Sequence, residues 1–241
     1  MVQKIKIGLT YTGSREKHLN YVNWLKGDDD DIEIVQLSAT DGNLHQLKEL
    51  DALVLSGGVD THPKNYGSTI TDYPNAPGEF QEERDVFETA IFKLSQEQQL
   101  PVLAICRGMQ LVNCILGGDL LQDIGPEANE LHRSDGKDEQ HDVLILPGTL
   151  LRRISGKERD VANSAHHQCV NRLGNGLMAN TQSDDGIIEG YEWADKKDKP
   201  FLLGVQWHPE RMYKQGIGSS TLSKNIREYF IAEVRKSCPA W

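Results

Sequence analysis

The sequence contains no run of about 18 apolar residues, so no stretch is long enough for a membrane-spanning helix. It is short of positive charge: 26 Lys and Arg stand against 36 Asp and Glu, a formal net charge of −10. An acidic surface repels phosphate backbones and argues against a nucleic-acid partner, although a net total does not exclude a cationic subsite inside a cleft. Cysteine is scarce, with four residues (Cys106, Cys114, Cys169 and Cys238) and no C-x-x-C pair. A zinc-ribbon or thioredoxin-type site therefore has no support, and disulfides are not expected in a reducing compartment. The thiols must be packing, surface or catalytic groups. There is no phosphate loop, no dinucleotide fingerprint and no internal repeat. The N-terminal "MVQKIKIGLT" has too short an apolar part for a signal peptide and enters a strand pattern at once, so a cytoplasmic protein is expected.

What is present is an alternation of periods. The 241 residues are ample for a real core, and 38% hydrophobic with 26% charged is ordinary for a globular chain. Residues 4–10, 31–37, 51–58 and 101–106 read as strands. Residues 14–26, 80–98 and 107–118 have helical spacing, with Leu19, Val22 and Leu25 expected inward on the first and Phe80, Val86, Phe87, Ile91 and Leu94 on the second. This β-α-β-α rhythm argues for a parallel sheet with helices on both faces. In the second half, short strands follow closely at 141–147, 161–170, 177–183, 186–193 and 201–207. They suggest an antiparallel or mixed extension, closed by a helix over 220–237. Residues 59–79 form the longest irregular stretch, a length that usually marks a functional or disordered loop. "GDDDD" (27–31) reads as a solvated turn rather than a metal site.

The chemistry centres on "PVLAICRGMQ". Cys106 ends a buried strand and opens a helix. A ligand binds beyond the carboxyl ends of parallel strands, and a helix N-terminus favours a thiolate. The spacing A-x-C-x-G is similar to the nucleophile elbow G-x-S-x-G, with Ala104 and Gly108 as the small residues. Alone, Cys106 reads equally well as a buried packing cysteine. A base and its orienting group are offered by "LLGVQWHPE" (202–210). An apolar strand ends at His208, Pro209 keeps that residue extended, and Glu210, two residues on, would point to the same side and fix the imidazole tautomer. The glycine turn of "LSGGVD" (55–60) exposes N–H groups, one of which could join that of Arg107 in an oxyanion hole. His166 and His167 are neighbours in a predicted strand and would face opposite ways, so no metal site is expected there.

In order and spacing, "LSGG", "AICRGMQLVNCILGG" and "GVQWHPE" resemble the class I glutamine amidotransferase fold. "GGVDTHPKNYG", "ERDVFE", "VANSAHHQCV" and "DGIIEGYEW" narrow the resemblance to the gamma-glutamyl-gamma-aminobutyrate hydrolase family. The resemblance runs from about Leu53 to Glu210. It implies a single α/β domain over 1–241 with a flavodoxin-like sheet, a triad of Cys106, His208 and Glu210, oxyanion donors at Gly58 and Arg107, and Gly57 shaping that loop. It also implies substrate contacts from Gln110, His167 and Gln168. No cofactor or metal is implied, and the partner is a small gamma-glutamyl substrate rather than nucleic acid or membrane. The expected reaction is hydrolysis of a gamma-glutamyl amide through a thioester. A glutaminase subunit feeding a separate synthetase and a non-catalytic binder on the same fold stay open, as does a homodimer. One departure is the segment before residue 51, which lacks the AGG-P-type stretch usual in relatives. Arg84 and Asp85 match a family-typical helix start but read as a helix-terminal charge pair of small energetic value.

Overall fold

The apolar runs of the first half become β1 (Ile5–Thr10), β2 (Ile32–Leu37), β3 (Ala52–Leu55) and β4 (Val102–Ile105). The computed structural model describes residues 4–133 and 137–237, so Cys238 lies outside the described residues. Helices α1 (Arg15–Lys26) and α2 (Glu82–Glu97) connect these strands, and α3 (Arg107–Ile115) follows β4 directly. Ser14 caps α1 by accepting from the Lys17 N–H, and Gly27 ends it at a φ of 52°, a conformation suited to glycine.

The second half adds β5 (Asp119–Leu121), α4 (Pro126–His132), β6 (Glu139–Ile145) and α5 (Leu150–Ser155). Then come β7 (Arg159–Ser164), β8 (Cys169–Arg172), β9 (Leu177–Ser183), β10 (Ile188–Trp193), β11 (Leu202–Val205) and α6 (Ile226–Ser237). All of these strands share one sheet in the order β2-β1-β3-β4-β11-β10-β9-β6-β7, with β8 pairing β10 and β5. From β2 to β11 the pairs are parallel; from β11 to β7 they are antiparallel. The mixed α/β sheet with helices on both faces is therefore the fold. Strand β11 lies at the junction, parallel to β4 on one side and antiparallel to β10 on the other.

Period-two alternation divides the core between the faces. Ala52, Val54, Leu103 and Ile105 pack with Tyr21 and Leu25 of α1 and Phe230 and Val234 of α6. Leu53, Leu55, Val102 and Ala104 pack with Phe87 and Ile91 of α2 and Met109 and Val112 of α3. Each fully buried Leu, Ile, Val or Phe contributes roughly 1.5–3 kcal/mol. No helix among the described residues is long and apolar enough to cross a membrane.

Several expectations need correction. Leu19 and Val86 are exposed at 45% and 66%; the buried faces are His18, Tyr21 and Leu25 on α1, and Arg84, Asp85, Phe87, Glu88 and Ile91 on α2. On α2 the ion-paired Arg84, Asp85 and Glu88 share the inner face with Phe87 and Ile91, which leaves Val86 outward. The expected strand over 161–170 breaks at 165–168, between β7 and β8. The closing helix begins as a wider π-turn at Thr221–Asn225. In the acidic turn, Asp29 and Asp31 pair with Arg227 and Arg235. The loop 59–79 holds one short 3-10 turn, Pro63–Tyr66.

Candidate active site

Strand β4 runs straight into Cys106, which caps α3 at φ 52° and ψ −111°. A non-glycine residue there costs about 1–3 kcal/mol and persists only where its surroundings enforce it. The Cys106 N–H donates to the Val205 carbonyl at 2.8 Å, and the Cys106 carbonyl accepts from the Gln110 N–H at 3.1 Å. Gly108 lets α3 close on β3: a Cβ there would collide with the Leu55 carbonyl. The turn therefore lifts the sulfur out of the sheet, at the positive end of a helix that is buried from Arg107 to Cys114.

His208 arrives from the end of β11. Its N–H donates to the Asn163 side-chain oxygen at 3.0 Å, and its ring Nδ1 lies 2.8 Å from Glu210 Oε1. A carboxylate can only accept, so Nδ1 carries the proton and Nε2 is left for the thiol. The route to this geometry differs from the extended i, i+2 arrangement expected from sequence. Residues Pro209–Gln215 form a 3-10 helix, with Glu210 in its first turn. Burial pushes the Cys106 thiol up, but the charge and hydrogen bond of His208, with Arg211 adding, leave it below the ordinary thiol value. Burial and Arg211 lower His208, yet Glu210 and Cys106 carry it up to about 9. Both shifts favour a thiolate facing an imidazolium.

Tyr21, which sequence reasoning missed, ties these parts together. Its hydroxyl accepts from the Gly57 N–H at 2.9 Å and lies 3.3 Å from His208 Nδ1. A Cβ on Gly57 would stand 2.7 Å from His208 Cε1. The Gly57 N–H is thereby committed, whereas those of Gly58 and Arg107 have no hydrogen-bond partner among the described residues. Arg84 Nη2 holds the Gly57 carbonyl at 3.0 Å. In a trans peptide the next N–H points the opposite way, so Arg84 turns the Gly58 N–H away from itself.

Arg84 and Asp85 are therefore not a surface pair. Asp85, Glu88, Arg84 and Arg107 are 2%, 1%, 9% and 1% exposed and form one ionic network. Arg107 bridges Asp85 and Glu88, and Glu88 also accepts from Arg84 at 2.7 Å. Asp85 accepts in addition from the His62 N–H at 2.8 Å and Asn65 Nδ2 at 2.9 Å, which anchors the loop 59–79.

Cys106, His208, Glu210, Gly57 and Gly58 line one cleft of about 380 Å³, together with Thr12, Tyr21, Ala165, Lys17 and Arg211. It opens at the carboxyl ends of β1, β3, β4 and β11, where parallel sheets bind ligands. Lys17 and Arg211 bring cationic groups to it within an acidic protein; Arg211 is paired with Asp138 at 3.1 Å, and the lining carboxylate Glu210 is held by His208. Gln110, His167 and Gln168 do not line this cleft. Gln110 Nε2 donates to the Gln168 carbonyl and to Gln206, each at 3.1 Å. His167 sits between Asp60 (3.0 Å) and Asp123 (3.3 Å), and Gln168 Nε2 donates to Tyr73 at 3.1 Å. His166 and His167 do diverge, but from an irregular segment rather than a strand. His166 joins His132, His141 and Glu189 in a group of possible metal ligands that sequence spacing does not reveal.

A family model described as Peptidase C26 matches residues 32–210. Protein NtpR of Enterococcus hirae is 36% identical over 194 residues, covering 78% of this chain and 76% of that protein. The gamma-glutamyl-gamma-aminobutyrate hydrolase PuuD of Escherichia coli is 34% identical over 176 residues, covering 68% and 65%. Among solved structures, a glutamine amidotransferase of Thermotoga maritima superposes with a TM-score of 0.66 at 15% identity, covering 96% of this chain and 99% of that one, and supports the fold.

Proposed function

The chain belongs to the Peptidase C26 family, and on that premise we propose that it is a cysteine hydrolase that cleaves gamma-glutamyl amide bonds through a glutamyl thioester. The observation that carries the reading is the strained Cys106 turn facing a His208 whose Nδ1 is held at 2.8 Å by Glu210. The named activity of one relative, a gamma-glutamyl-gamma-aminobutyrate hydrolase, supports the substrate class. So does the cleft itself, since Arg211 and Lys17 can meet the α-carboxylate of a glutamyl group.

In this mechanism the Cys106 thiolate attacks the side-chain carbonyl carbon. The Gly58 and Arg107 N–H groups receive the developing oxyanion. His208 gives its Nε2 proton to the nitrogen as the C–N bond breaks, and the amine leaves. Neutral His208 then takes a proton from water, whose oxygen attacks the thioester; collapse releases glutamate and restores the thiolate and imidazolium. Glu210 keeps the tautomer and stabilises the charged ring throughout.

The test is amine release from gamma-glutamyl-aminobutyrate and from glutamine, with hydroxylamine present to trap the thioester as a hydroxamate. Cys106→Ala should lose at least about 10⁴-fold in rate while keeping its circular dichroism spectrum. An alanine variant at the wild-type rate would refute the assignment. Glutamine cleaved in preference to every gamma-glutamyl conjugate would point instead to a glutaminase subunit.

A further inference from the structure

His132 at the end of α4, His141 in β6, His166 after β7 and Glu189 in β10 come from four separate segments, yet their ligand atoms all lie within 4.8 Å of one another. His132 Nδ1 is 3.2 Å from His166 Nε2 and 3.4 Å from Glu189 Oε1, and His166 Nε2 is 3.3 Å from that oxygen. A tetrahedral ion with bonds of about 2.0–2.1 Å holds its ligand atoms about 3.3–3.4 Å apart. These three atoms therefore have the spacing of one tetrahedral face. His141 Nε2, 3.7 Å from the same oxygen, supplies the fourth corner.

The outward nitrogens determine what faces inward. His132 Nε2 meets Asp185 Oδ2 at 3.1 Å, His166 Nδ1 meets the Gln168 carbonyl at 2.9 Å, and His141 Nδ1 meets the Asp142 carbonyl at 3.2 Å. Each of these is an acceptor, so each ring donates its N–H outward and turns a lone pair inward. Ser164 Oγ, 3.3 Å from His132 Nδ1, does not relieve this, because its hydroxyl donates to the His132 carbonyl at 2.8 Å. Three lone pairs thus converge on a carboxylate that is fully buried, and neither Glu189 oxygen nor His141 Nε2 has a hydrogen-bond partner among the described residues. Such a group needs a cation among its members. A proton satisfies two heavy atoms along one line, whereas here three atoms are mutually equidistant.

We propose that His132, His141, His166 and Glu189 bind one divalent cation of the zinc class as a closed, structural site, independent of the reaction assigned to Cys106. Imidazole and carboxylate ligands suit zinc, and four protein ligands leave no open position for substrate or water. The site would fasten α4, β6 and β10 to the 165–168 segment, whose Ala165 lines the cleft. Asp185, on the far nitrogen of His132, would orient that ligand.

The experiment uses the full chain, stripped with a chelator and titrated with Zn²⁺ or Co²⁺, following metal content, melting temperature and the cobalt visible spectrum. One equivalent per chain is expected, with a rise in melting temperature and tetrahedral cobalt bands lacking any thiolate charge-transfer band. Cys106→Ala should bind equally well. Glu189→Gln and His141→Ala should weaken binding by more than about 100-fold, and Asp185→Asn by about 10–100-fold. Failure of the wild-type chain to take up one equivalent, uptake unchanged in Glu189→Gln and His141→Ala, or loss of uptake in Cys106→Ala would each overturn the proposal. The wild-type titration decides even if a ligand variant fails to fold.

Discussion

Replacing Arg107 by Met separates the side chain of this residue from its main chain. The backbone N–H assigned to the oxyanion is kept, while the guanidinium between Asp85 and Glu88 is lost. Glu88 would still accept from Arg84 at 2.7 Å. Among the described residues, Asp85, 2% exposed, would keep only the neutral donors His62 N–H and Asn65 Nδ2. One buried carboxylate is left without a cation, and breaking a buried pair in this way costs about 3–5 kcal/mol. The retained bonds favour the lower end, about 3 kcal/mol. Urea unfolding followed by fluorescence should show a lower midpoint at an unchanged slope. Adding Asp85→Asn to the variant should recover at least about 1 kcal/mol, because the two sites are coupled. The pH dependence has a defined sign. Burial raises Glu88, but Arg107 and Arg84 outweigh it and hold the group below the ordinary carboxylate range. That contribution is present above the unfolded value and fades as pH falls through the folded one. The variant lacks part of it, so the gap between the two proteins should narrow in acid. A loss under about 1 kcal/mol, with no recovery in the double variant, would refute the reasoning.

Four further outcomes follow from the same contacts. The kcat/KM profile should lose activity in acid as Cys106 is protonated, at a pH below the ordinary thiol range, and in alkali near 9 as His208 deprotonates. Glu210→Gln removes a charge that raises His208, so its alkaline limb should move to lower pH; an unmoved limb would count against the pairing. Gly108→Ala should destabilise by about 1–3 kcal/mol in urea, although alanine is the better helix former, because its Cβ meets the Leu55 carbonyl. Tyr21→Phe leaves the buried Gly57 N–H unpaired and should cost about 1–3 kcal/mol, with a fall in kcat larger than any rise in KM.

The fold was legible because β3, β4 and β11 are apolar runs followed by Ser56, Cys106 and Gln206, and because strand and helix periods alternate in the first half. The Cys106 turn and the His208–Glu210 pair were legible as short motifs, since each depends on residues adjacent in the chain. What escaped depends on long-range pairing. The charges of Arg84, Asp85 and Glu88 look solvated until Arg107, far along the chain, is found between the two carboxylates. Apolar character alone predicts Val86 inward, whereas the buried ionic residues on either side of it leave it at the surface. Tyr21 reaches Gly57 and His208 by the packing of α1 on the sheet, and His132, His141, His166 and Glu189 meet only once the antiparallel half is folded. Their positions in the sequence share no common spacing.

The position of β11 has a consequence for how the protein comes into being. Synthesis delivers Cys106 well before the strand that donates the Val205 carbonyl to it and carries His208 behind it. Until that strand inserts between β4 and β10, the growing chain has an open sheet edge and a thiol with neither its imidazole nor its enforced turn. Domains generally fold as units as they emerge from the ribosome. The nascent thiol should therefore react like any free cysteine, and its heightened nucleophilicity would switch on only when the sheet is sealed. Rapid alkylation of Cys106 near neutral pH would then serve as a clock for the insertion of β11.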